Sequence, residues 1–291
     1  MMLFAIPWYY LIVISSVFNA GTLILEKRLL KAEHALTFSA SISFSIGLLS
    51  FLLIPFTTFS LTPFALLLLL SYSVTLALGY WMSARLFRHG SLSTGAPQYN
   101  ILPNIVVVAL GFLLLGEVLL PSQYIAIVIM LAAAFFMIFE SNKKRDIAGK
   151  SKYDHTITAN AIIVGIGWIL LKYTLGFVSP ITFIFFTSLF TPFIVWLLML
   201  KRPLSYKQET RIDIQKFMMP IVLLAVITIT YRVLLYNALT STQVALAAPF
   251  NSALIVMITV LAGGLFFGEH HIPRKILLSA IMIVAAYFLI A

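Results

Sequence analysis

Apolar residues run along this chain in long blocks, and polar or helix-breaking residues interrupt them at short intervals. A helix that crosses a bilayer takes roughly 20 mostly apolar residues. Ten blocks of that kind follow one another, at residues 8–26, 35–56, 63–84, 93–116, 121–139, 157–176, 180–200, 217–238, 243–267 and 273–291. Pro, Gly and charged residues mark their ends. The pattern predicts an all-α integral membrane protein of ten transmembrane helices joined by short loops.

Composition supports the same reading. Of the 291 residues, 62% are apolar and only 10% charged, with a mean hydropathy of +1.06. Soluble domains carry about a quarter charged residues, so the solvent of this chain is lipid. Nucleic-acid binding and a large extramembrane catalytic domain are disfavoured. Cysteine is absent, which excludes thiol catalysis, Fe–S clusters and Cys-based zinc sites.

The net charge of +10 is informative through its placement. Lys27, Arg28 and Lys31 follow the first span, Arg85 and Arg88 the third, and Lys143, Lys144, Arg145, Lys150 and Lys152 the fifth. Lys201, Arg202, Lys207, Arg211 and Lys216 follow the seventh, and Arg274 and Lys275 the ninth. Basic loops stay in the cytoplasm. Only Lys172 and Arg232 fall elsewhere, so the odd-numbered loops are expected in the cytoplasm and both termini outside. The first apolar run reads as a retained span rather than a cleaved leader, because its positive charges follow it.

The chain also repeats itself. At an offset of 152, Ala96-Pro97 pairs with Ala248-Pro249, Gly116-Glu117 with Gly268-Glu269, and Pro121 with Pro273. Lys27 with Leu36-Thr37-Phe38 matches Lys172 with Ile181-Thr182-Phe183 at an offset of 145. The halves are residues 1–140 and 156–291, joined by a polar cytoplasmic linker at 141–155. Each half has five spans, an odd number, so the second enters the membrane from the opposite side. Two inverted five-helix repeats around a central cavity are expected.

These features resemble the EamA-type branch of the drug/metabolite transporter superfamily. The Gly-Glu turn followed by Pro, present twice as LLLGEVLLP and LFFGEHHIP, carries the resemblance most specifically. It implies a ten-helix basket with a cavity lined by spans 1, 3, 4, 6, 8 and 9, and alternating access to a small metabolite. Members of that superfamily commonly keep both termini in the cytoplasm, whereas the charge count here places them outside.

Polar groups within the bilayer are costly and point to a pathway. Arg232 lies inside the eighth span, about four residues or roughly 6 Å beyond its midplane. All nine carboxylates fall at helix ends or in loops. Arg232 either binds an anionic ligand group or snorkels to the outer interface. Asn100 and Asn104 share a face of the fourth span at i, i+4, with Pro103 disrupting the ladder between them. Asn251 occupies the corresponding region of the ninth span, after Pro249. These amides suit cargo binding or interhelical hydrogen bonding. Tyr99, Trp168 and Tyr231 are candidates to stack on a ligand, while Tyr80, Trp81 and Tyr236 read as interfacial anchors. Glu117 and Glu269 read as solvated turn and capping residues. Glu26 reads as an ion-paired or solvated group at the cytoplasmic edge, beside Lys27 and Arg28.

Enzymatic chemistry finds little support. His34, His89, His155, His270 and His271 lie in loops or at helix ends, and neither a metal motif nor a phosphate-binding glycine loop is present. No cofactor and no metal are expected. The reading is a secondary transporter, monomer or homodimer, in the cytoplasmic membrane of a prokaryote. It moves small polar metabolites, amino acids or related carboxylates, with a lipid-phosphate flippase or lipid-carrier translocase, or a cationic drug exporter, as the alternatives.

Overall fold

A computed structural model describes residues 6–30, 35–89, 91–142, 147–200, 214–269 and 272–290, with side chains described outside 89, 139–154 and 214–217. Eleven α-helices follow in order: α1 (Trp8–Leu29), α2 (Ala35–Ser50), α3 (Pro63–His89), α4 (Leu92–Asn100), α5 (Pro103–Leu115), α6 (Pro121–Asn142), α7 (Ile147–Thr174), α8 (Pro180–Leu200), α9 (Ile214–Thr240), α10 (Val244–Phe267) and α11 (Ile272–Tyr287). The described residues contain no strand. Nine stretches among them are long and apolar enough to cross a membrane, with α4 and α5 counted as one.

The departures from the predicted spans have local causes. The second span ends in a 3₁₀ segment, Phe51–Phe56, where Pro55 lacks the N–H that an α-turn needs. The fourth span is broken at Ile101-Leu102 into α4 and α5, because Pro103 donates no hydrogen bond and starts a new helix. The last span is short as an α-helix, 16 residues. Its chain continues to Ile290 through i→i+3 bonds, Phe288 to Ala285, Leu289 to Ala286 and Ile290 to Tyr287, each 3.1 Å. The polar linker predicted at 141–155 lies largely outside the residues whose side chains are described; its backbone is helical up to Asn142 and again from Ile147. Most of the basic residues that carry the charge count, among them Lys31, Lys143, Lys144, Arg145, Lys150, Lys152, Lys201, Arg202, Lys207, Arg211 and Lys216, also lie outside the described side chains.

Lipid is the solvent of the outer face. Met219, Leu265 and Leu113 are 82%, 79% and 70% exposed, and a soluble protein rarely displays such a surface as one continuous belt. The core runs along α10, which packs on α1, α4, α5 and α11. Its inner side is built from Ala245, Ala247, Ala248, Ser252, Ala253, Ala262 and Gly263, all buried. Small residues let helix backbones approach, which is how helices associate where the hydrophobic effect is absent. Gly165 does the same on α7, since a Cβ there would meet Val106 at 2.5 Å on α5.

The two halves fasten each other symmetrically. Glu117, in the turn after α5, accepts hydrogen bonds from the Val244 and Ala245 N–H groups, both at 2.8 Å. Glu269, in the turn after α10, accepts from the Leu92 N–H at 2.5 Å, the Ser93 N–H at 2.9 Å and the Ser93 hydroxyl. Each carboxylate thus caps the first turn of a helix in the opposite half, where orphan N–H groups and the positive end of the helix dipole stabilise an anion. The turns that aim them are equivalent. Gly116 and Gly268 adopt φ of 65° and 60°, a conformation open to glycine, and the Glu117 and Glu269 N–H groups bond back to Gly111 and Gly263, each at 3.1 Å. The expectation of turn and capping residues holds, but the helices capped lie in the opposite half, and Glu117 is not solvated as expected: it is buried at 7% exposure, whereas Glu269 is half-buried.

Cations close the other helix ends in the same way. Lys27 Nζ donates to the Phe87 carbonyl at 2.5 Å, near the end of α3. Its counterpart Lys172 donates to Leu239 and Thr242 carbonyls at 2.6 and 2.8 Å, at the end of α9. Unpaired carbonyls at a helix C-terminus favour a positive charge. Residues that match between the two halves in sequence thus make equivalent contacts.

Candidate functional site

A cavity of about 140 Å³ lies between the halves, lined by residues of α1, α2, α3, α4, α7, α9 and α10. Arg232, Asn100, Asn251, Tyr99, Trp168 and Tyr231 all face it. The helices are those expected from the resemblance, with α2 added through Phe38 and Ile42.

Arg232 sits on α9 and is 2% exposed. Its guanidinium stays inside the bundle rather than reaching an interface. Nη2 donates to the Tyr80 hydroxyl at 2.5 Å, while Nε is buried with no hydrogen-bond partner. An unsatisfied donor on a buried cation is expensive, more so than on a neutral group. Tyrosines surround it. Tyr72 and Tyr236 share a hydroxyl–hydroxyl hydrogen bond of 2.8 Å, and both line the cavity with Tyr80 and Tyr231.

The span-4 break shapes one wall. At the break the Asn104 N–H bonds to the Ile101 carbonyl at 3.0 Å, and the Asn100 carbonyl accepts from the Ser252 hydroxyl of α10 at 2.8 Å. The Asn100 amide Nδ2 bonds back to the Ala96 carbonyl at 3.0 Å. Asn251 Oδ1 accepts from Ser16 of α1 at 2.9 Å, so its amide both lines the cavity and ties two helices.

Three expectations are corrected. Asn104 does not line the cavity: the i, i+4 argument assumed an unbroken helix, and α5 restarts after the break, so Asn104 is buried elsewhere with neither amide atom hydrogen-bonded. Tyr80 and Tyr236 are not interfacial anchors but cavity residues. The α3 helix runs on to His89 instead of ending near 84, which sets Tyr80 deeper. Glu26 is not a solvated edge residue. It is 9% exposed, lines the cavity and accepts from Ser83 at 3.0 Å. Pro249 leaves α10 unbroken, unlike Pro103 in its fourth-span counterpart.

Trp81 follows neither course. Its ring lies 4.3 Å beneath the Arg85 guanidinium, a cation–π contact, and its indole nitrogen is buried without a partner. His34, His270 and His271 lie outside the described residues, as does the side chain of His89. Among the described residues, no cluster of three metal-ligating side chains occurs.

Asn19, Thr22, Tyr72, Thr75, Ser83, Thr228 and Ser252 also line the cavity and are not singled out by the sequence as site residues. Ser and Thr in membrane helices commonly bond their own backbone, as Thr228 does to Leu224 at 2.7 Å. That leaves no signature in the sequence to separate a cavity hydroxyl from a structural one.

Comparison with known proteins gives a likeness for the second half of the chain and another for the fold. The family model of the EamA-like transporter family matches residues 152–291, the second half of the chain. None of the curated proteins compared matches it. A solved structure described as "Crystal structure of protein" is similar over 94% of this chain and 97% of that one, with a TM-score of 0.71 at 13% identity, a likeness of fold. The second half of this multi-pass membrane chain is thus similar to the EamA-like transporter family.

Proposed function

We propose that the protein moves small polar metabolites bearing an anionic group, amino acids or related carboxylates, across the cytoplasmic membrane of a prokaryotic cell. The two halves rock about the cavity to give alternating access, and the basic odd-numbered loops face the cytoplasm, with both termini outside. One observation carries the reading: Arg232 lines the cavity, is buried, and keeps Nε without an acceptor. A carboxylate bound there supplies the missing acceptor through a charge-assisted hydrogen bond. Tyr99, Trp168 and Tyr231 offer apolar ring faces for the remainder of the cargo, and Asn100 and Asn251 frame the wall. Asn104, which lies away from the cavity, holds no place in the reading.

The test is a thermal-shift screen of purified protein against amino acids, organic acids, phosphosugars, quaternary amines and lipid phosphates, with Arg232→Gln in parallel. Stabilisation by a carboxylate class that the variant loses supports the assignment. Stabilisation by lipid phosphates alone favours the flippase reading. Stabilisation by amines alone makes Arg232 structural and favours export of cations.

A further inference from the structure

Glu26 is a buried acid for which the proposed carboxylate site has no use. It stands in the last turns of α1, 9% exposed, and lines the same cavity as Arg232. Among the described residues, the Ser83 hydroxyl is its hydrogen-bond donor, at 3.0 Å to Oε1. A carboxylate has two oxygens and about four acceptor positions, so one neutral donor leaves it far from compensated. Arg232 does not compensate it: Nη2 is turned to Tyr80 and Nε has no partner. A guanidinium and an acid therefore face one cavity, and neither is the hydrogen-bond partner of the other.

The α3 helix holds both. Tyr80 anchors the guanidinium and Ser83 anchors the carboxylate. The two positions are three residues apart on one helix face, a rise of about 4.5 Å. We infer that Glu26 is the receptor for a cationic group on the cargo, and that the cavity selects zwitterions carrying an ammonium and a carboxylate. The inference rests on the reading of Arg232 as the anion receptor. A plain carboxylate satisfies Arg232 and adds a second anion to a cavity that already holds Glu26. An amine satisfies Glu26 and leaves the guanidinium uncompensated. Only a ligand with both groups meets both charges without changing the net charge of the site.

Isothermal titration calorimetry on the detergent-purified full chain tests this with matched trios: alanine, lactate and ethylamine; 4-aminobutanoate, butanoate and butylamine; phenylalanine, 3-phenyllactate and phenethylamine. In at least one trio the zwitterion binds tenfold or more tighter than either partner. Glu26→Gln removes that advantage, bringing the zwitterion to the affinity of the carboxylate while leaving the carboxylate unweakened. Glu26→Asp keeps part of the preference. A zwitterion preference that survives in Glu26→Gln overturns the inference, as does equal weakening of all three ligands. Failure of the Arg232 reading looks different: Arg232→Gln then leaves carboxylate binding unchanged. If no trio binds the wild-type protein, both readings fall.

Discussion

Tyr80 and Arg232 stand 152 positions apart and share a hydrogen bond, and Asn100 and Ser252 do the same at the same separation. That separation is also the offset at which Ala96-Pro97 matches Ala248-Pro249 and Gly116-Glu117 matches Gly268-Glu269 in sequence. At this position one half supplies a phenol and the other a guanidinium. A symmetric scaffold thereby holds an asymmetric charge, and Tyr80 fixes where the guanidinium points.

Tyr80→Phe removes the acceptor for Arg232 Nη2 and keeps the ring beneath it. Hydrogen bonds to charged groups contribute about 1.5–3 kcal/mol, so ligand affinity is expected to fall by roughly tenfold or more. Calorimetry with the best carboxylate ligand checks this. An unchanged Kd would show that the phenol does not position the guanidinium.

Glu117→Gln and Glu269→Gln each replace an anionic cap on two N–H groups of the other half. Helix-cap losses cost about 0.5–2 kcal/mol, and the equivalent geometry predicts similar drops in Tm for the two variants. Thermal unfolding in one detergent measures both. A drop confined to one variant contradicts the symmetric account.

Gly263→Ala acts on the same contact, because a Cβ at Gly263 would meet Glu269 Oε2 at 2.8 Å. The substitution is expected to lower Tm by displacing the carboxylate. In a double-mutant cycle its effect shrinks when Glu269 is already Gln. Full additivity would mean that the glycine is needed for something other than room for the carboxylate.

Asn104→Leu is expected to leave ligand affinity within about twofold of wild type, because the amide lies outside the cavity, and not to lower Tm, because it removes two buried unpaired polar atoms. Weakened ligand binding in this variant, measured by calorimetry, would restore Asn104 to the site.

Orientation is read with single cysteines, since the chain has none of its own. With Ser141→Cys and a cysteine appended after Ala291, an impermeant maleimide applied to intact cells is expected to label only the terminal one. External labelling at 141 overturns the outward placement of the termini.

The membrane-spanning helices are legible because lipid leaves backbone groups no alternative to helical bonding, so span length and composition carry nearly all the signal. The repeat was legible from Gly-Glu and Ala-Pro pairs, but what the glutamates do was not. Spacing reports the local turn, whereas Glu117 and Glu269 bind helix starts more than a hundred residues away. Arg232 stood out as a charge in mid-span. Glu26 does not, because nearness to a helix end carries no information on exposure: α3 packs against that end and covers the carboxyl group through Ser83. Asn104 was misplaced by treating a proline-broken span as one continuous face.

The central claim is that Arg232 receives the anionic group of the cargo. Counterflow of a radiolabelled carboxylate or amino acid into proteoliposomes tests it most directly, with wild type, Arg232→Lys and Arg232→Gln at equal incorporation. The account predicts accumulation by wild type, partial activity with the lysine point charge, and at least a tenfold loss with glutamine. Wild-type counterflow of that substrate by Arg232→Gln would contradict it.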